Sequence, residues 1–412
     1  MRILLAAPVP PQADGVGAIP VLLHAELVGL RRRHEVTLVT AVGEEPGEEQ
    51  AVARLRNEVE IHVADRRRPF AGAARHRRQL RLAATWACGS WPWRTVWFAA
   101  PAIQRILDEL EAERDFDVVA IEDSAMSVFR YPQGVPTVFT HHEVLQPRAV
   151  DWRPPGPAHW PAWAFGELDW RRWARFQLAA WRHFDRLQVF SRRDAASIAS
   201  LAPDVAPRVR VDPFGLAVPP LADPAREIAG TVLFVGNFSH PPNRDAAVWL
   251  VREIMPEVWK RQASAQLRLV GAAPPQEVRD LAGPRVDLFA DAPSVLPHLE
   301  AAAVVLAPVR TGGGMRMKIL QAMASGKAVV TTSRGVEGYD TFDEELPLAV
   351  ADAELEIAVR TSTLLEDDTR RRRLGQAARE FAERHHSPEA WAGRLTAVFE
   401  EARATRWGGS AG

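Results

Sequence analysis

The sequence predicts an α/β protein of two Rossmann-like, doubly wound domains facing a central cleft. Three observations carry this expectation. Short apolar runs alternate with helical patterns along most of the chain, and strands interleaved with helices imply a parallel sheet covered on both faces. The 412 residues exceed what one core usually supports, so two domains of roughly 200 residues are expected. Between the two runs, PFGLAVPPLADPAREIAG (Pro213 to Gly230) is rich in proline and glycine and has no clear period, which marks a linker.

In the first half, apolar runs ending in turn or polar residues read as strands at Arg2 to Ala7, Glu35 to Thr40, Val59 to Val63, Asp117 to Glu122, Thr137 to Thr140, Arg186 to Phe190 and Val209 to Val211. Ile19 to Arg33 is helical, with Val21, Leu22, Ala25 and Val28 on one face at spacings of three and four. A helix from about Gly166 to Phe184 brings Trp170, Trp173, Phe176 and Phe184 near one face, a core stripe. The second half repeats the design, with strands at Thr231 to Val235, Gln266 to Val270, Val286 to Phe289, Val304 to Pro308, Ala328 to Thr332 and Leu348 to Val350. After Leu355 the pattern is helical, at Glu356 to Glu366, Asp368 to His385 and Pro388 to about Arg406. The last helix, at about 1.5 Å per residue, is long enough to cross back onto the first domain. The expected division is residues 1–213, a linker at 214–230, a second domain at 231–387, and a returning helix and tail at 388–412.

Composition narrows the function. With 47% hydrophobic and 25% charged residues the chain is that of a globular protein, and a formal net charge of -1 gives no reason to expect a nucleic-acid partner. Cys88 stands alone, which is consistent with a reducing compartment. No stretch approaches the ~18 to 20 apolar residues of a membrane span, and the apolar N-terminus is broken at once by prolines and reads as a first strand. A cytoplasmic protein is expected, with any membrane contact peripheral. The 14 tryptophans cluster, and Trp86, Trp91, Trp93 and Trp97 follow a basic stretch from Arg66 to Arg81. That region, Arg66 to Trp97, reads either as a solvated helix followed by packed aromatics or as a peripheral surface at the inner membrane face.

The most informative segment is Val304 to Gly338, VVLAPVRTGGGMRMKILQAMASGKAVVTTSRGVEG. An apolar strand leads into a glycine-rich turn (Thr311 to Gly314), two cations, a helix (about Lys318 to Ser325) and a second strand. Adjacent glycines leave backbone N–H groups open to a ligand, and a helix start behind them attracts phosphate. Arg316 and Lys318 flank that spot, a bidentate guanidinium and an ammonium suited to a diphosphate. This points to a nucleotide-linked substrate. Ligands of open α/β sheets bind outside the carboxyl ends of the strands. There the first domain offers PVPPQADGVGA, with Gly15 and Gly17, and the HHEV loop; the second offers GNFSHPPN, with Gly236 and Asn237, and the glycine-rich loop.

At these residues the chain resembles retaining GT-B glycosyltransferases of the family-4 type, also called glycosyl transferases group 1. The resemblance rests on TVLFVGNFSHPPNRDAAVWLVREIMP, LRLVG and VRTGGGMRMKILQAMASGKAVVTTSRGVEG in the expected order, and more loosely on HHEV and SRRDAAS in the first half. It implies transfer of a sugar from a nucleotide sugar to a hydroxyl of a glycan, lipid-linked or small-molecule acceptor, with the anomeric configuration kept and without a cofactor or a tightly bound metal. Two departures stand out. The family's usual acidic pair falls on Gly313 and Gln321, where an amide hydrogen-bonds a ribose diol without charge assistance. The usual arginine and lysine after the first strand of the donor domain are missing, so Arg316 and Lys318 are the cations placed to hold the diphosphate.

Breaking a sugar–phosphate bond leaves a dianion, so catalysis needs fixed positive charge at the leaving group more than a strong base. The expected donor-binding residues are therefore Gly15, Gly17, Gly236, Asn237, Gly313, Gly314, Arg316, Lys318 and Gln321. The expected catalytic residues are His142, which aligns with the family's acceptor-side histidine, and Glu337, which would accept hydrogen bonds from sugar hydroxyls. His141 and Glu143 are the acceptor-side alternatives. A nucleotide-sugar epimerase of the same fold, with only Glu143 and Glu337 as acid–base candidates, and a noncatalytic nucleotide-binding relative are the rival readings.

Overall fold

The computed structural model describes residues 1–13, 17–45, 47–67, 72–98, 100–142, 144 and 160–408. Two compact units divide the chain, Met1–Asp212 with Ala392–Gly412, and Pro213–Trp391. Each is an α/β Rossmann-like domain around a parallel sheet.

In the first unit the strands are β1 (Arg2–Ala6), β2 (Glu35–Val42), β3 (Glu60–Asp65), β4 (Val118–Glu122), β5 (Thr137–Thr140), β6 (Arg186–Val189) and β7 (Val209–Val211). They lie in the order β3-β2-β1-β4-β5-β6-β7, every described pair parallel. The helices are α1 (Ala18–Leu30), α2 (Glu48–Leu55), α3 (Gly72–Cys88), α4 (Trp93–Phe98), α5 (Pro101–Glu113), α6 (Trp160–His183) and α7 (Arg192–Leu201). Strands covered on both faces read as continuous apolar runs, which is why ILLA of β1 and VVAI of β4 are fully buried. The core gathers Leu4, Val39, Val119, Phe139 and Leu187 from the sheet with Ile103, Leu107, Trp181 and Phe184 from the helices. In α6, Trp173 is buried, while Trp170 and Phe176 are half-buried beside it.

The second unit holds β8 (Thr231–Val235), β9 (Gln266–Gly271), β10 (Val286–Ala290), β11 (Val304–Ala307), β12 (Ala328–Thr331) and β13 (Ala349–Val350), in the order β10-β9-β8-β11-β12-β13. Its helices are α8 (Pro241–Trp249), α9 (Met255–Arg261), α10 (Gln276–Arg279), α11 (Leu296–Ala301), α12 (Met317–Ala324), α13 (Glu354–Glu366) and α14 (Asp368–His386). The last helix, α15 (Pro388–Gly408), begins in this unit, and its residues from Ala392 group with the first. The proline-rich stretch from Pro213 belongs to the second unit, where the Leu216 N–H donates to the His386 carbonyl at 2.8 Å and His386 Nδ1 lies 2.7 Å from the Phe214 carbonyl.

All the strands read from the sequence form, three of them with the same ends and the others with ends that differ by one or two residues. In each sheet the chain reverses its direction of growth between two neighbouring strands, β1 and β4 in one, β8 and β11 in the other. Crevices outside the carboxyl ends of such pairs are where open α/β sheets bind ligands.

Candidate active site

In the second unit two loops flank the switch point between β8 and β11. Gly271 at the end of β9 has φ 154°, and a Cβ there would lie 1.8 Å from the Gly236 carbonyl oxygen, so the chain can pass behind the β8 turn only as glycine. Asn237 Oδ1 accepts from the Ser239 N–H at 3.0 Å and its hydroxyl at 2.7 Å, an Asx turn that leads into α8. Two non-glycine residues nearby, Ala273 (φ 51°) and Asp291 (φ 52°), hold left-handed backbone, and the Ala273 N–H donates to Asp291 Oδ1 at 2.7 Å. Strain of this kind collects at ligand-binding edges.

After β11 the chain turns through Gly312 (φ 84°) and Gly314 (φ 76°) into α12. Arg316 precedes the helix with extended backbone, and its side chain does not cap the first N–H groups of α12. Its guanidinium folds over the loop, donating to the Gly313 carbonyl at 2.5 Å and the Thr311 carbonyl at 3.3 Å. The buried Tyr339 hydroxyl donates to the Arg316 carbonyl at 2.7 Å and fixes the turn from below. Lys318, two residues on, donates to Asn243 Oδ1 at 2.6 Å and stands 4.4 Å from the centre of the Phe234 ring. Asn243 Nδ2 in turn donates to the Asn237 carbonyl at 2.8 Å, which ties the glycine-rich loop to the β8 loop. Burial, and then the Arg316 charge, lower the Lys318 ammonium to about 7. A cation held that far below its ordinary range is poised to be recharged by an anion.

The other residues read from the sequence are placed as follows. Gln321 is half-buried on α12, and its side-chain amide has no hydrogen bond among the described residues. Glu337 lies in the loop after β12, 3.1 Å from Arg334 Nη1. Gly17 precedes α1 with φ 92°, and among the described residues no atom lies within 4 Å of an added Cβ. Gly15 and Glu143 lie outside the described residues.

In the first unit, two histidines leave β5 in opposite directions, as successive residues of an extended chain must. His141 goes into the core. The Trp181 indole donates to its Nδ1 at 3.0 Å, and its ring packs edge-on against Phe139 and Trp181. His142 turns the other way, with Nε2 2.9 Å from Glu122 Oε2 and the ring edge-on to Phe190. Glu122 ends β4 with its side chain 2% exposed, while that of His142 is 11% exposed. A carboxylate only accepts, so it keeps the proton on Nε2 and leaves Nδ1 as the acceptor. That nitrogen has no partner among the described residues.

Three further acids of this unit are Asp123, Asp212 and Glu26. Asp123 follows Glu122 with φ 70°; its Oδ1 accepts from the Ala125 N–H at 2.9 Å and its Oδ2 pairs with Arg94 at 2.8 Å. Asp212 accepts from Arg394 Nε at 2.6 Å and from Gln188 Nε2 at 3.3 Å. Glu26 of α1 is buried, and neither of its carboxylate oxygens has a hydrogen-bond partner among the described residues. Desolvation, and then the charges of Glu122 and Asp212, raise its carboxyl well above the ordinary 4.5. Sequence reading passed over Glu122 and Glu26. The signal for Glu26 was present, a lone acid inside the apolar run VLLHAELVGL; Glu122 looked like an ordinary strand end.

Among the described residues no three His, Cys, Asp or Glu side chains gather to hold a metal ion, and no helix is long and apolar enough to cross a membrane. Residues 229–367 match the model of the family Glycosyl transferases group 1. No curated protein matches the chain in sequence. Among solved structures, Anabaena HepE, in complex with UDP and glucose, is similar with a TM-score of 0.62 at 13% identity, over 97% of this chain and 100% of that one. Sucrose-phosphate synthase from Thermosynechococcus elongatus gives 0.64 at 16% identity over 98% and 100%. A glycosyltransferase from Rickettsia africae gives 0.58 at 11% over 97% and 98%. The fold is therefore that of GT-B glycosyltransferases, and the segment that matches the group 1 model, residues 229–367, lies in the second unit.

Proposed function

We propose that this group 1, GT-B chain is a retaining glycosyltransferase of the family-4 type, moving a sugar from a nucleotide sugar to an acceptor hydroxyl. The observation that carries the reading is the loop from Gly312 to Lys318. Two positive-φ glycines, uncapped helix N–H groups and two cations meet there, inside the segment that matches the family. These groups suit a nucleoside diphosphate. HepE has been crystallised with UDP and with UDP-glucose, which accords with a nucleotide-sugar donor.

On this reading Arg316, Lys318 and the loop N–H groups stabilise the diphosphate as the sugar–phosphate bond breaks, the step where charge develops. Gln321 accepts from the ribose diol, and Gly236 and Asn237 line the nucleotide. Lys318, neutral or charged near pH 7 while the site is empty, becomes fully charged as the leaving group forms. His142, oriented by Glu122, hydrogen-bonds the sugar or the acceptor hydroxyl through Nδ1. Glu337 accepts from sugar hydroxyls. The proton of the acceptor passes to the departing phosphate oxygen, so that configuration is retained without a protein base. No tightly bound metal is needed, because the cations carry the charge.

The test is incubation with a panel of nucleotide sugars, with and without hydroxyl acceptors, followed by mass spectrometry. Release of nucleoside diphosphate with an anomerically retained glycoside supports the proposal. A nucleotide sugar converted to its epimer, or binding without any turnover, contradicts it.

A further inference from the structure

We infer that helices α3 and α6 of the first unit form a surface that docks on an anionic phospholipid bilayer. Five of the eleven exposed large apolar residues found among the described ones lie in this part of the chain, which marks the patch as more than scattered exposure. They are Leu80 (70% exposed), Trp91 (37%), Trp160 (54%), Phe165 (41%) and Leu168 (45%).

The two helices are joined through Trp86. Its indole donates to Asp169 Oδ1 at 2.7 Å, its ring centre is 4.6 Å from that of Phe165, and the Arg172 guanidinium lies 4.3 Å from it. Asp169 also accepts from the Trp93 N–H at 2.6 Å, so its charge is used inside the joint. Only Arg78, Leu82 and Trp86 of α3 are half-buried among its described side chains, a stripe at spacings of four that packs inward. The opposite face, with Leu80, Ala83, Ala84 and Ala87, is exposed.

Charge selects the partner. Helix α3, GAARHRRQLRLAATWAC, contains no acid, and neither Arg77 nor Arg81 has an ion pair among the described residues. On α6, Glu167 is paired with Arg171 at 3.0 Å, and Arg175 has no ion pair among the described residues. Exposed Leu, Trp and Phe beside unpaired arginines match the interface of a bilayer with anionic head groups, where aromatic rings sit at the boundary and guanidinium groups meet phosphate. A patch for a second copy of this chain would need acids to meet these arginines, and α3 offers none to its symmetry mate. The inference does not rest on the proposed sugar transfer.

Co-sedimentation of the full chain with vesicles tests it, comparing phosphatidylcholine alone with phosphatidylcholine containing phosphatidylglycerol. The expected result is binding to the anionic vesicles that weakens with added salt, and little binding to the neutral ones. Arg77→Gln with Arg81→Gln should weaken partition roughly 30-fold, about fivefold for each charge near an anionic surface. Leu80→Glu with Leu168→Glu should abolish it. Both variants should keep the parent's melting temperature and nucleoside diphosphate affinity, since the substituted side chains lie at the surface. Equal binding to both vesicle types, or variants that bind like the parent, would overturn the inference. So would a concentration-dependent dimer in sedimentation velocity that Leu80→Glu with Leu168→Glu dissolves while vesicles go unbound, since the patch would then join two copies.

Discussion

The carboxyl edges of the two sheets are built from opposite materials. Around the first lie Glu122, Asp123 and Asp212, the buried Glu26 and the imidazole of His142, with Arg94 on Asp123 and Arg394 on Asp212. Around the second lie Gly236, Gly271, Gly312 and Gly314, an uncapped helix start, Arg316 and Lys318. The second set suits phosphate, whereas a histidine whose proton is held by a carboxylate suits hydroxyl chemistry. On the proposed reading, two sheets of one architecture take different tasks because of a few residues at their strand ends, which is where function on a shared fold resides.

The largest expected effect breaks this division on the first edge. His142→Ala should lower turnover of a nucleotide sugar by roughly 10²-fold or more while nucleoside diphosphate affinity stays near that of the parent. The variant should melt like the parent, which calorimetric scanning checks. Full activity in a folded variant would remove His142 from the site, and Glu122→Gln separates orientation from mere presence by shifting the pH profile.

The next effect is on pH. Below about 7 Lys318 is charged and above it the charge is lost, so nucleoside diphosphate affinity should fall as pH rises from 6 to 8, by up to about tenfold for one proton per pH unit. Lys318→Met should bind weakly with little remaining dependence beyond that of the nucleotide itself. A parent and variant with parallel pH profiles would show that Lys318 carries no part of the effect.

These two expectations also show how far the sequence could be read. The fold was legible because parallel strands are continuous apolar runs and α12 follows its glycines at once. Arg316 and Lys318 stand two residues apart in the chain, so their meeting could be seen. Glu122 and His142 are on different strands, and only the β4–β5 pairing brings them together. Choosing between His141 and His142 needed the direction each side chain takes, which a short run such as THHEV leaves open. Asn243 closes the GNFSHPPN loop read as lining the site, but its bond to Lys318 comes from a different helix and was hidden for the same reason.

A smaller effect concerns stability. Glu26 has its folded value raised above 4.5, so the native state holds the proton longer than the unfolded chain, and stability falls as pH climbs from about 4.5 toward that raised value. Glu26→Gln removes this loss, and its melting temperature should exceed the parent's by an amount that widens from pH 5 to 8. Relief of a buried unpaired group is worth about 1 to 3 kcal/mol, several degrees for domains of this size. A variant that melts lower at every pH would show that the carboxyl is needed for packing. The smallest effect is at Gln321, where Gln321→Glu should tighten donor binding a few-fold, because a carboxylate is the stronger acceptor for a ribose diol. Unchanged affinity would place the ribose elsewhere.

The division between the two edges is tested most directly by isothermal titration calorimetry of Arg316→Ala, Lys318→Ala and His142→Ala with a nucleoside diphosphate and with its nucleoside, using whichever of UDP, GDP and ADP binds the parent. A lost charge-assisted hydrogen bond is worth roughly 1.5 to 3 kcal/mol, about 10- to 150-fold in affinity. The account predicts a loss of that size for the diphosphate in Arg316→Ala and Lys318→Ala, near-parent nucleoside binding in both, and near-parent binding of both ligands in His142→Ala. Equal losses for diphosphate and nucleoside in the two cation variants, or a loss of diphosphate affinity in His142→Ala that tracks its loss of turnover, would contradict it.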